Sequence, residues 1–217
     1  METKNLFVGI DLGGRKRKTT GICILKQKNG LAIPYNCKTC QLVTSPKIIA
    51  TIKPYLKDIR VIAVDGPLTI GKGKGAMRLY EKFLSTKVFR QHRVQPLPPA
   101  LMSEIVFVGV NLTKRLKRFN FILDKNLIEV FPTLTKALCK DIPDFHCPSS
   151  HQVSASICAW QAWFHWQGRT RWIGHKDGLL FIPEPSLWKK QWRMDFTEAW
   201  QKRPRLKYRY LRTNFFG

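Results

Sequence analysis

The chain has 217 residues, enough for one domain with an appendage and a sizeable core. Its 44% apolar content excludes a disordered chain, and no stretch approaches the ~18 apolar residues of a membrane helix. Thirty-eight basic residues against 14 acidic ones give a net charge of +24, which points to a polyanionic partner, with nucleic acid, DNA or RNA, the commonest.

The N-terminus lacks the basic-then-apolar layout of a signal peptide, so a cytoplasmic location with reduced thiols is the expectation. Cysteines stand at 23, 37, 40, 139, 147 and 158. Cys37-x-x-Cys40 is half of a zinc knuckle, and Cys139, His146 and Cys147 are candidates for the rest. That second half has no regular spacing, and free or buried thiols are the simpler reading.

The apolar run Leu6 to Ile10 ends on Asp11. The glycines Gly13 and Gly14 follow, then four basic residues from Arg15 to Lys18, then a β-rich run from Thr19 to Leu25. Strand, tight turn and strand predict a hairpin. Residues 30–43 alternate loosely and predict a third strand. Ser45 as N-cap and Pro46 at the first helical position predict a helix over 46–57, with Ile49, Ile52 and Leu56 as its apolar stripe. Arg60 to Asp65 is another short apolar strand ending on an aspartate, stopped by Gly66 and Pro67. A strand, a helix and a continuously apolar strand together predict a parallel pairing buried on both faces.

Residues 69–75 form a Gly/Lys loop outside the Walker A frame. Its Lys72 and Lys74 are candidate phosphate contacts, and a plain surface loop is the alternative. Residues 76–88 read as helix, with Arg78 and Glu81 one turn apart. Residues 90–100 read as an irregular connection and 102–119 as a second helix. Leu127 to Phe131 is a strand stopped by Pro132, and Thr133 opens a short helix. Ser149 and Ser150 are candidate N-caps of the most apolar helix, 151–166, which ends at Gly168. Residues 179–183 are the last predicted strand. The remainder, 185–217, carries nine basic residues and two acidic ones. Trp188, Trp192, Phe196 and Trp200 fall four apart there, which predicts an aromatic stripe on a basic helix. That stripe either packs on the body or offers a surface for single strands or an anionic membrane.

Asp11, Asp65 and Glu129 all sit on predicted strands. Carboxylates brought together repel one another and stay ionised with a cation between them, and a hard divalent ion, Mg²⁺ or Mn²⁺, suits oxygen donors. Two such ions activate water and stabilise the leaving oxygen of a phosphodiester. The competing possibility pairs each acid with one of the many lysines and arginines.

In order, the motifs GIDLGG (9–14) with TG (20–21), VAVDGPL (62–68), MRLYEKFL (77–84), IEVFPT (128–133), HQVSASICAWQAW (151–163) and DGLLFIP (177–183) resemble the DUF429 family. These are predicted nucleases of the ribonuclease H-like superfamily, also likened to the Holliday-junction resolvase RuvC. The resemblance spans about residues 5–183. It implies an α/β, ribonuclease H-like domain over 1–184, with a five-stranded mixed sheet and helices on both faces, followed by a basic aromatic extension over 185–217. It implies that strands one and four lie side by side, bringing Asp11 and Asp65 together. It matches Arg78 and Glu81 to an Arg-x-x-acid helix and Glu129 to an acid before an aromatic-Pro step. In the last helix the superfamily's acid falls at Ser154, one turn beyond His151.

The resulting expectation is a metal-dependent nuclease. Asp11, Asp65 and Glu129 are the metal ligands, Glu81 and His151 assist, and Arg15, Lys16, Lys18, Lys72, Lys74 and Arg78 bind phosphate. One alternative, favoured by Ser154, is a nucleic-acid-binding protein on the same scaffold that does not cut. A second is an actin-like or sugar-kinase phosphotransferase, which GIDLGG also resembles. The chain is short for two such lobes and has no second Asp-Gly-Thr loop.

Overall fold

The computed structural model describes residues 4–36, 40–71 and 76–215. Cys37, Lys72 and Lys74 lie outside them. The fold is α/β, built on a mixed six-stranded sheet. In chain order the elements are β1 (Leu6–Asp11), β2 (Thr20–Lys28), β3 (Leu31–Pro34), β4 (Cys40–Val43), α1 (Ile48–Ile52), β5 (Ile59–Asp65), α2 (Leu79–Leu84), α3 (Lys87–Gln91) and α4 (Ser103–Lys117). After them come β6 (Leu127–Val130), α5 (Pro132–Leu138), α6 (Ser150–Trp166), β7 (Thr170–His175), β8 (Gly178–Pro183), α7 (Lys190–Gln201) and β9 (Arg212–Thr213).

β1 pairs antiparallel with β2 on one side and parallel with β5 on the other, and β5 pairs parallel with β6. The expected third strand is divided. β3 pairs with residues 25–28 of β2, and β4 pairs with residues 20–23. Pro34 ends β3, since proline has no N–H to continue a ladder. The sheet therefore has six strands where five were expected. A second sheet, β8-β7-β9, is antiparallel.

Two cores cover the two faces of the main sheet. Leu6, Val8 and Ile10 of β1 join Ile62 and Val64 of β5 in the core that includes α1 and α4. Phe7, Val61 and Ala63 alternate to the other face, against α6. α6 is apolar almost all round and is buried accordingly, from Ala155 to Phe164. Its one deeply buried amide, Gln161, is satisfied by Thr135 at 2.8 Å and by the Phe181 carbonyl.

Glycine makes the approach of α6 possible. A Cβ at Gly9 would lie 2.0 Å from the Ala155 carbonyl oxygen and 2.2 Å from the Ala159 nitrogen. A Cβ at Gly21 would lie 2.2 Å from the His151 carbonyl oxygen. Neither neighbour can rotate away, because both are helix backbone. Gly9→Ala is thus expected to destabilise the protein by about 3 kcal/mol or more. A chemical-denaturation midpoint matching wild type would contradict this packing.

Several local expectations change. Residues 46–57 form α1 flanked by two 3-10 turns, and Ser45 is not an N-cap. Its hydroxyl donates instead to the Gly13 carbonyl at 2.7 Å, fastening the β1–β2 turn. The helix expected over 76–88 divides into α2 and the start of α3. β7 was not anticipated. Ser149 does cap α6, accepting from the Gln152 amide. The aromatic stripe faces inward: Trp188, Trp192 and Phe196 are buried. Phe196, Trp200 and Tyr208 all pack edge-on against Phe83 of α2. These rings are core, not a surface for strands or membrane. No helix among the described residues is long and apolar enough to cross a membrane.

Candidate functional site

Strand register decides which acids meet. β1 and β5 run parallel, and Asp11 is paired with Asp65 at the C-terminal end of both. Paired residues share a face, so both aspartates point toward α6, on the side of Phe7 and Ala63. Gly21, opposite Asp11 on β2, lets the first turn of α6 descend. There the His151 Nδ1 lies 2.7 Å from an Asp11 carboxylate oxygen.

Asp11 is buried, and its carboxyl is raised from 3.8 to about 6. Burial is the main cause, and the hydrogen bond and charge of His151 offset part of it. Asp65 is half-buried, and its carboxyl is raised well above the ordinary range by burial, then by Asp11, then by Glu129. Among the described residues no side-chain cation or hydrogen-bond donor meets the Asp65 carboxylate. The pair is an anionic site with one histidine for compensation, a donor set suited to a hard cation that keeps part of its water shell. No group of three or more His, Cys, Asp or Glu side chains among the described residues is gathered to hold a metal.

Glu129 does not join the pair. Register places it beside Val64, one step back from Asp65 and on the opposite face of the sheet. Its carboxylate is fully engaged. Arg78 donates to both of its oxygens, at 2.7 and 2.6 Å, the Leu68 amide donates at 2.9 Å, and the Tyr80 hydroxyl donates as well. Arg78 also grips Glu81 at 2.7 Å, and the Glu81 carboxylate accepts the Arg78 amide at 2.6 Å. Arg78 is 1% exposed and Glu81 2%. Burial alone would favour loss of the Arg78 proton, but Glu129, Tyr80 and Glu81 hold its pKa above the ordinary value. These residues form a buried two-to-one ion network that anchors α2 to β6. The Glu129 and Glu81 carboxylates and the Arg78 guanidinium, expected as metal ligand, assisting acid and phosphate contact, are here engaged with one another.

The basic turn lies directly beyond Asp11. Arg15 to Lys18 are exposed. The Arg15 amide donates to Glu104 of α4 at 2.8 Å, and its guanidinium lies over the Phe107 ring. The turn is held at its root and free at its tips. Between the C-terminal ends of β1, β5 and β6 and α2 opens a cavity of about 370 Å³. Asp11, Asp65 and His151 form one polar side, the Arg78, Glu81 and Glu129 network lines it as well, and Leu97, Met102, Ile105 and Phe131 supply an apolar wall. Ser154 is not part of this lining. Sequence reasoning missed Tyr80, the Leu68 amide and the apolar wall. Only the wall had a signal, in the apolar residues of the proline-rich 90–100 segment.

No family model, no curated protein and no solved structure matches the chain.

Proposed function

We propose that the chain is a divalent-metal-dependent nuclease on a ribonuclease H-like scaffold, acting on phosphodiester bonds of DNA or RNA. One observation carries the reading. Two aspartates stand abreast on adjacent parallel strands, and among the described residues the charged side chains that act on Asp65, Asp11 and Glu129, are both acidic. The strand order supports it, since β2, β1, β5 and β6 follow the sequence of antiparallel and parallel pairings that the resemblance to DUF429 implies.

Mg²⁺ or Mn²⁺ on Asp11 and Asp65 would supply a polarised water and neutralise charge on the phosphate. The protein's own contributions follow from its geometry. His151 fixes one oxygen of Asp11 and stabilises its ionised form. Arg15, Lys16 and Lys18 offer charge to flanking phosphates beside the aspartates. The apolar wall limits water around the reacting group. Glu129, Arg78 and Glu81 position α2 and the 66–68 turn without touching substrate.

The test is cleavage of a panel of labelled DNA and RNA, single-stranded, duplex and branched, in Mn²⁺ and in EDTA. Wild type cleaves at least one substrate in Mn²⁺ alone, and Asp11→Asn cleaves none. Salt-sensitive binding without cleavage would favour a second reading, a nucleic-acid-binding protein of the same fold. Ser154, where the resemblance places an acid, supports that second reading.

A further inference from the structure

A second cluster lies outside the aspartate site. Cys23 of β2, Cys40 of β4 and Cys147, just before α6, bring their sulfurs into a chain. Cys40 is in the middle, 3.0 Å from Cys23 and 3.0 Å from Cys147. All three are free thiols. Each gap is about 1 Å longer than a disulfide bond. It is also shorter than the roughly 3.8 Å between thiolates that share a tetrahedral zinc at ~2.3 Å. The spacing suits sulfur–sulfur chemistry better than a metal shell.

We propose that these thiols form an oxidation site, in which a hydroperoxide converts Cys40 to a sulfenic acid and Cys147 closes a disulfide with it. In the first step the Cys40 thiolate attacks a peroxide oxygen. The O–O bond breaks, the leaving oxygen takes a proton, and the sulfur loses two electrons. In the second step the Cys147 sulfur attacks the Cys40 sulfur. The S–O bond breaks, and hydroxide leaves as water with the proton from Cys147. With hydrogen peroxide, one equivalent is reduced to two waters for each disulfide formed.

The three residues have separable roles. Hydrogen bonding with Cys23 outweighs burial at Cys40, and Cys147 adds to it, bringing the Cys40 thiol down to about 7. A thiol near neutrality reacts as thiolate in quantity. Cys40 and Cys147 are half-buried and reachable, whereas Cys23 is fully buried. Cys23 is also paired with Cys40 across the β2–β4 ladder, where a bond would have to conform to fixed strand geometry. Cys147 stands in the irregular connection between α5 and α6, outside any strand ladder. Burial, then contact with Cys40, holds the Cys147 proton in place. Oxidising Cys40 to an uncharged sulfenic acid removes the second of these. The bond would tie β4 to the entrance of α6, where the Gln152 amide already donates to the Cys40 carbonyl at 3.0 Å. That is one residue from His151, so the disulfide would fasten the turn that meets Asp11.

The experiment uses the full-length reduced protein, exposed to hydrogen peroxide, blocked with N-ethylmaleimide and mapped by non-reducing peptide mass spectrometry. A Cys40–Cys147 linked peptide that dithiothreitol removes is the expected product. Cys147→Ser should leave a dimedone-reactive sulfenic acid on Cys40, and Cys40→Ser should abolish the link. In the untreated protein, Cys40 should alkylate at least about tenfold faster than Cys139, a buried thiol raised to about 12. Equal rates at the two would overturn the proposal. So would a link to Cys37 or Cys23 in place of Cys147, or stoichiometric zinc that shields the three thiols. Far-UV circular dichroism of each serine variant confirms that a lost link is not a lost fold.

Discussion

Asp65→Asn should make the protein more stable and, if the proposed function holds, inactive. Asp11 and Asp65 stand abreast at the ends of β1 and β5, and burial, then the Asp11 charge, then Glu129 raise the Asp65 carboxyl well above its ordinary range. For Asp11, a carboxyl held at about 6 in place of 3.8 costs the folded state about 2–3 kcal/mol at neutral pH. Neutralising Asp65 removes one of the facing charges and returns about 1–2 kcal/mol, as replacements at strained functional sites do. For a chain of this size that is roughly 2–8 °C in Tm. The sign with pH follows from the raised values. Below 3.8 both states are protonated and the pair costs nothing. The cost sets in as pH rises above 3.8 and grows until the raised carboxyls have ionised. The advantage of Asp65→Asn in EDTA should accordingly be larger at pH 7.5 and vanish near pH 4. In Mn²⁺ the order narrows or reverses, because an ion that binds the wild-type pair stabilises only the wild type. Differential scanning fluorimetry at the two pH values reads all of this. A variant that melts below wild type in EDTA at pH 7.5 would mean that Asp65 is a structural acid with a partner.

The opposite effect is expected at Arg78. Arg78→Ala leaves Glu81 and Glu129 buried without their cation, and removing one partner of such a network costs about 3–5 kcal/mol. That corresponds to a fall in Tm of roughly 10 °C. A fall of about 1 °C would contradict the closed network described above. The contrast separates the two acidic groups of the cavity: Asp65 is held there at a cost to stability, whereas Glu129 and Glu81 are balanced by Arg78.

Asp11 and Asp65 were legible in the sequence because each ends a short apolar run that a glycine-containing turn stops. Their adjacency was what the resemblance to DUF429 implied, and the register of β1 and β5 pairs them. The surroundings of Glu129 are something that sequence spacing does not contain. It lies inside an apolar run, paired with Val64 one step from Asp65, and the partner that engages it, Arg78, lies fifty-one positions away in the chain. Gly9 and Gly21 read only as members of strand runs, while their effect, the close seating of α6, depends on a helix about 130 residues or more later. β7 escaped notice because Arg171, Trp172 and Gly174 interrupt any clean alternation. The thiol cluster was hidden for the same reason as Glu129. Cys23 and Cys40 meet through strand pairing, and Cys147 meets them through the fold of the segment before α6.

The most direct measurement compares wild type and Asp11→Asn as purified proteins, side by side, on labelled oligonucleotides at pH 7.5 in Mn²⁺. The account predicts cleavage by wild type that EDTA abolishes, and none by a variant that binds the same strands with unchanged salt dependence. Cleavage that persists in Asp11→Asn, or that survives EDTA in wild type, would contradict it.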